Sequence, residues 1–126
     1  MKDFIPYGRQ NISDEDIESV VKVLKSDWLT TGPNVDEFEK SLTHHCGTKH
    51  CIAVCNATAA LHIAYLALDI GNGDTVWTSP NTFLSTANAA IMCGATIDFV
   101  DICPKTYNMS VDSLEQKLIE ASKINT

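Results

Sequence analysis

The apolar run His50-Cys51-Ile52-Ala53-Val54-Cys55 breaks at Asn56-Ala57-Thr58 straight into a helical stretch, Ala59 to Leu68, with no residues left for a loop. This strand, tight turn and helix constrain the fold more than any other part of the sequence. Strands that alternate with helices assemble as a parallel sheet covered by its crossover helices. The alternation continues downstream. Gly71-Asn72-Gly73-Asp74 is turn chemistry, and Thr75-Val76-Trp77-Thr78 reads as a strand ending at Ser79-Pro80. A helix is expected from about Thr82 to Cys93, closed by Gly94, and a further strand from Ala95 to Ile102. After a loop from Pro104 to Ser110, Asp112 to Ser122 is an amphipathic helix with Val111, Leu114, Leu118 and Ile119 on its apolar side.

Upstream, Ile17, Val20, Val21 and Leu24 recur at helical spacing behind Ser13, with Asp16 placed as the acid of a capping box. Asp27 to Pro33 interrupts that pattern. Asn34 is then expected to cap a second helix, with Val35, Phe38 and Leu42 on one face and Gly47 as its stop. The chain closes at Ile124-Asn125-Thr126, just after a helix, where the alternation would next supply a strand, so the sequence reads as cut off. There is no internal repeat and no low-complexity tract.

Composition narrows the functions. Sixteen acidic against nine basic residues give a net charge of -7, and Arg9 is the sole arginine, a poor match to a protein that tracks nucleic-acid phosphates. With 44% hydrophobic residues among 126, one globular domain is the expectation. No apolar run is long enough to span a bilayer, and the start lacks the core of a secretory signal. Five cysteines, an odd number without framework spacing, fit thiols in a reducing compartment, so the cytoplasm is expected.

Four segments could carry chemistry. At Cys55-Asn56-Ala57-Thr58-Ala59-Ala60-Leu61 small residues lead into a helix N-terminus, whose unpaired N–H groups and positive dipole end suit an anion such as a phosphate. The same residues also make an ordinary turn without a ligand. Neither a P-loop nor a Gly-x-Gly-x-x-Gly fingerprint is present. Phe83, in Ser79-Pro80-Asn81-Thr82-Phe83, follows the carboxyl end of a strand, where α/β sheets place ligands, and could stack on a flat ring; a phenylalanine at this spacing is more often a core residue. His44, His45, Cys46, His50, Cys51 and Cys55 invite a zinc reading, but they lack paired Cys-x-x-Cys spacing, and Cys51, Ala53 and Cys55 alternate along the expected buried strand. No metal site is assigned, and His62 is read as a packed histidine. Asp27-Trp28-Leu29-Thr30-Thr31-Gly32 offers a tryptophan for a lid or an interface, with surface packing the plainer account.

Taken together, four blocks in order resemble the N-terminal part of the DegT family of pyridoxal-phosphate sugar aminotransferases. They are Trp28-Leu29-Thr30-Thr31-Gly32-Pro33; Cys55 to Leu61; Ser79 to Phe83 with Thr86-Ala87-Asn88; and Cys93-Gly94-Ala95 leading to Asp98-Phe99-Val100-Asp101. The resemblance covers nearly the whole chain. The opening Phe4-Ile5-Pro6-Tyr7-Gly8 and Trp77 to Phe83 are most similar to the pseudaminic-acid branch, which aminates C4 of a UDP-linked 4-keto-6-deoxy-N-acetylhexosamine with glutamate as donor.

The resemblance implies an α/β fold, the N-terminal part of the large domain of an aspartate-aminotransferase-like, fold type I enzyme, with helices around a mostly parallel sheet. Residues 1–33 would form the N-terminal helix and substrate loop, and residues 34–126 the β/α segment with the phosphate turn. It implies that Ala57 and Thr58 hold the 5′-phosphate of pyridoxal phosphate, that Phe83 covers its ring, and that Tyr7, Asp27, Trp28, Leu29 and Thr30 line the sugar-nucleotide site. It implies a homodimer as well. The family's Schiff-base lysine has no counterpart before Thr126, since none of the eight lysines matches its position, so the 126-residue chain is expected to be inactive alone. Two other readings stand beside this one: a non-catalytic nucleotide-sugar-binding or regulatory α/β module, and a dehydratase of the same family with histidine in place of that lysine.

Overall fold

The computed structural model describes residues 5–124, so Phe4 of the opening block and the closing Asn125-Thr126 lie outside the described residues. Two compact units divide between Ala53 and Val54.

In the first unit, α1 (Asp14–Leu24) starts where Ser13 turns the chain out of extended geometry. The Ser13 hydroxyl accepts the Asp16 N–H at 3.2 Å and the Asp16 carboxylate accepts the Ser13 N–H at 2.9 Å, the reciprocal capping box expected from the sequence. The Ser13 amide, and after it the Ser13 hydroxyl, which donates to the same carboxylate at 3.1 Å, hold the Asp16 carboxyl below its ordinary range. The second helix, α2 (Pro33–Cys46), begins two residues earlier than expected. Gly32 is the cap, not Asn34, because Pro33 fits the first helical position, where its missing N–H would have no partner in any case. Gly47 ends the helix, as expected.

The expected strand over His50 to Cys55 does not form. Its Ala53 N–H donates to the Glu39 side chain of α2 at 2.7 Å, so a carboxylate takes the donor that a neighbouring strand would have used. Cys51 and Ala53 are half-buried, while Ile52 and Cys55 are exposed, so this is not the buried strand that the apolar run suggested.

The second unit runs α3 (Ala57–Ala67), β1 (Thr75–Thr78), α4 (Ser85–Met92), β2 (Thr96–Phe99) and α5 (Val111–Ile124). β1 and β2 pair in parallel, Thr75 opposite Thr96 and Thr78 opposite Phe99, with α4 as the crossover that a parallel pair requires. Both ladder ends are sealed, by Thr96 N–H to Asp74 O and by Val100 N–H to Thr78 O, each at 2.9 Å. β2 is shorter than the expected Ala95 to Ile102 because the Asp101 carboxylate takes the Ile102 N–H at 2.7 Å. α4 is likewise shorter than Thr82 to Cys93.

The core of this unit is made of small side chains: Ala87, Ala89 and Ala90 of α4, with Ala95 and Val100. α4 packs against α3 on one side and against β1 and β2 on the other, and alanines allow both approaches to be close. Gly94, at φ +88, turns the chain from α4 into β2; that backbone conformation strains any other residue, and a Cβ there would meet the Asn72 Oδ1 at 2.6 Å and force it to move. Among the described residues no helix is long and apolar enough to cross a membrane.

α5 is tied to the sheet by one cation. The Lys117 ammonium lies 2.6 Å from Asp98 Oδ2, donates to the Phe99 carbonyl at 2.7 Å, and sits 5.7 Å from the centre of the Trp77 ring. Trp77 and Asp98 are cross-strand partners, so Lys117 clasps one rung of the ladder. The Lys117 hydrogen bond, with the Phe99 N–H second, holds the Asp98 carboxyl below its ordinary range. A carboxylate whose pKa is lower folded than unfolded stabilises above the unfolded value, near 3.9, and that contribution is lost as pH falls through the folded value. Lys117→Met, which keeps the apolar stem, is therefore expected to flatten the fall in melting temperature between about pH 5 and pH 2. An acid limb of unchanged steepness in a thermal-melt series would show that the pair contributes nothing.

Candidate functional site

Two turns in the second unit hold residues singled out by the sequence. The first opens α3. Asn56 is extended (φ -167, ψ 168); its side-chain oxygen accepts the Ala59 N–H at 2.9 Å, and its carbonyl accepts the Ala60 N–H at 3.2 Å. Of the four donors that a helix start leaves over, those of residues 56–59, the Asn56 side chain caps that of Ala59; the Ala60 bond is the first of the helix itself, and the Ala57 and Thr58 N–H groups have no acceptor among the described residues. Ala57 is exposed and Thr58 half-buried, and neither is large enough to close the space in front of those amides. The helix dipole adds roughly half a positive charge there. Such an arrangement can hold an anion, and its chemistry fits a phosphate ester. The cap itself, Asn56, was missed as a functional residue; an asparagine immediately before a helical run was the available signal.

The second turn, residues 79–84, leaves the carboxyl end of β1 and enters α4. Phe83 lies in it and is 77% exposed, so among the described residues no side chains close over its ring. The Asn81 N–H bonds the Ser79 hydroxyl at 3.2 Å, and the Thr86 N–H bonds the Phe83 carbonyl at 3.0 Å, so the backbone around the ring is fixed locally. The structure thus places Ala57, Thr58 and Phe83 in one compact unit.

The remaining expected residues belong to the first unit. Tyr7 is fully exposed. Asp27, Trp28, Leu29 and Thr30 follow α1 in a structured turn, where the Ser26 hydroxyl accepts the Trp28 N–H at 3.3 Å and donates to the Trp28 carbonyl at 3.2 Å. Thr31 takes a left-handed conformation, φ +50, and Gly32 follows at φ +110. A Cβ on Gly32 would stand 3.0 Å from the Trp28 Cβ, so this glycine lets the loop fold back on its own tryptophan. Trp28 and Leu29 stay more than half exposed and present apolar surface beside the Asp27 and Thr30 polar groups.

The histidines and cysteines are dispersed. His44, Thr48, Lys49, His50 and Cys51 line a groove of about 820 Å³ beside α2, which none of the expected site residues touches. All five thiols are free, and among the described residues no three His, Cys, Asp or Glu side chains gather as metal ligands. His62 is half-buried on α3.

Solved structures give the class. A structure named as a sugar aminotransferase from Streptococcus pneumoniae, in its PLP form, superposes with a TM-score of 0.84 at 36% identity, over 89% of this chain and 29% of that one. Helicobacter pylori PseC, described as an aminotransferase involved in pseudoaminic acid biosynthesis, gives 0.81 at 30% identity, over 88% and 30%. The fold is accordingly α/β, of the fold type I aminotransferase kind. Residues 10–124 match the model of the DegT/DnrJ/EryC1/StrS aminotransferase family, and the chain belongs to that family. Among curated relatives, the spore coat polysaccharide biosynthesis protein SpsC of Bacillus subtilis is 45% identical over 95% of this chain and 31% of its own length. The UDP-4-amino-4,6-dideoxy-N-acetyl-beta-L-altrosamine transaminase of Campylobacter jejuni is 44% identical over 94% and 31%. The chain thus spans about a third of the length of the relatives it matches.

Because φ +110 strains any side chain at position 32 and a Cβ there would crowd Trp28, Gly32→Ala is expected to destabilise the first unit by about 1–3 kcal/mol. Urea unfolding followed by tryptophan emission checks this, and an unshifted midpoint would contradict the close approach.

Proposed function

We propose that this chain supplies the phosphate anchor and the ring cover of a pyridoxal-phosphate-dependent aminotransferase. Its reaction, on this reading, moves an amino group from glutamate to C4 of a UDP-linked 4-keto-6-deoxy-N-acetylhexosamine in pseudaminic-acid-type nucleotide-sugar synthesis. The observation that carries the proposal is the pair of unpaired amides at Ala57 and Thr58, at the start of α3, in the same unit as the exposed ring of Phe83. The kinship with the altrosamine transaminase and with PseC supports the substrate class.

When bound, pyridoxal phosphate supplies the electron sink for moving the amino group. The residues of this chain bind and orient. The Ala57 and Thr58 N–H groups donate to phosphate oxygens, the Thr58 hydroxyl is available for a third bond, and the α3 dipole favours the dianion. Phe83 covers one face of the ring and keeps water from it. In the first unit, Trp28 and Leu29 offer apolar surface to the base or the sugar face, Asp27 accepts hydrogen bonds from hydroxyls, and Tyr7 and Thr30 complete the sugar-nucleotide contacts. Residues 1–33 then carry the substrate loop and residues 34–126 the β/α part of the large domain. The assembly is a homodimer, and five free thiols fit a cytoplasmic setting.

The phosphate anchor can be tested without disturbing the helix. Proline is tolerated at the first helical position, and the extended backbone of Asn56 suits a residue preceding proline. Ala57→Pro therefore removes one amide donor and little else. A hydrogen bond to a charged group contributes about 1.5–3 kcal/mol, so binding of pyridoxal phosphate is expected to weaken about 10- to 100-fold. Binding of pyridoxal, which lacks the phosphate, should not change. Phe83→Ala should weaken both ligands about 3- to 10-fold. Spectrophotometric titration of the chain decides. Equal affinity for pyridoxal phosphate before and after Ala57→Pro, or no binding at all, would overturn the assignment.

A further inference from the structure

Phe83 is held in an exposed turn, and the contacts that fix it converge on one residue of α4. Thr86 uses three of its atoms in three directions. Its N–H donates to the Phe83 carbonyl at 3.0 Å, its hydroxyl shares a hydrogen bond with the Thr82 hydroxyl at 2.9 Å, and its carbonyl accepts the Tyr65 hydroxyl of α3 at 3.4 Å. Thr82 and Phe83 are the residues that present the ring. Tyr65 lies seven residues, two helical turns, beyond Thr58, so the two share a face of α3, and both are half-buried there. A connected path therefore runs from the amides at the start of α3, along that helix to Tyr65, across to Thr86, and back to the turn that carries Phe83. α3 and α4 pack directly on each other, so the path lies within one packed pair of helices.

We propose that Thr86 is a positioning residue, whose hydroxyl and carbonyl set where the Phe83 ring stands relative to the Ala57 and Thr58 amides. Its consequence is selectivity for a ligand in which a flat ring and an anion are held at one fixed separation. This rests on the proposed function above. Nothing about the phosphate anchor itself requires the Thr86 hydroxyl, which is why the two can be told apart.

The test is a double-mutant cycle read by titration with pyridoxal phosphate. Thr86→Val keeps size, N–H and carbonyl but removes the hydroxyl, and is expected to weaken binding about fivefold, the scale of one neutral hydrogen bond. Thr86→Ser restores the hydroxyl and should restore affinity. In a Phe83→Ala background, Thr86→Val should have no further effect, because there is no ring left to place; a residue that only stabilises the fold would not show that coupling. Thr82→Val, at an exposed position, removes the same hydrogen bond from its other end and serves if the half-buried Thr86 variant folds poorly. Independent, additive losses at positions 83 and 86, or undiminished binding by both valine variants, would overturn this inference while leaving the anchor in place. Failure of the unaltered chain to bind pyridoxal phosphate would overturn both.

Discussion

The close packing of α4 is the constraint on which the second unit depends. Its buried face is alanine, at positions 87, 89 and 90, and it meets α3 on one side and the two strands on the other. Larger side chains would hold those layers apart, and the interior has no spare volume to absorb them. Both turns that matter hang from this arrangement. α3 begins with the two free amides, while α4 begins just after Phe83, so the separation of anchor and ring is fixed by how nearly two helices approach. The alanine stripe, silent as chemistry, thereby defines the geometry of the candidate site.

The sheet is secured differently. With two short strands, backbone hydrogen bonds alone hold little, and the cross-strand pair of Trp77 and Asp98 is reinforced from above by Lys117. One ammonium there meets a carboxylate, a carbonyl and an aromatic face. α5 nonetheless leaves Val111, Leu118 and Ile119 largely exposed. The same contrast between polar fixation and uncovered apolar faces holds for α1, whose capping box is complete although Ile17, Val20 and Leu24 are open to solvent.

Local signals were legible in the sequence, and pairings were not. Ser13 and Asp16 specify a helix start by contacts within four residues, and they appear as read. The alternation after Gly71 gave the parallel pair with its crossover helix, and the four family blocks gave the fold and the kinship. The run His50 to Cys55 has strand composition, yet a strand exists only where a neighbour accepts its hydrogen bonds. Glu39, fourteen residues earlier than Ala53, took the donor instead, which no local pattern announces. Pro33 was weighed as a breaker when its better use was as a first helical residue, and the cap moved to Gly32 accordingly.

The site was legible to differing degrees for a related reason. An anion held by backbone amides needs no particular side chain, only small ones that stay out of the way and a cap that satisfies the other donors. Ala57 and Thr58 therefore carry their meaning through what they lack, and on composition they read equally well as a plain turn. The Asn56 side chain caps the Ala59 N–H and leaves the Ala57 and Thr58 amides without an acceptor among the described residues, a division visible only once the bonds are traced. Phe83 differs in that its burial, not its identity, separates a core residue from a ring cover. The turn that carries it is tied to α4 through Thr82 and Thr86, whose hydroxyls meet one turn apart. A sequence shows both threonines, but only the folded chain shows that their hydroxyls meet beside an exposed aromatic ring.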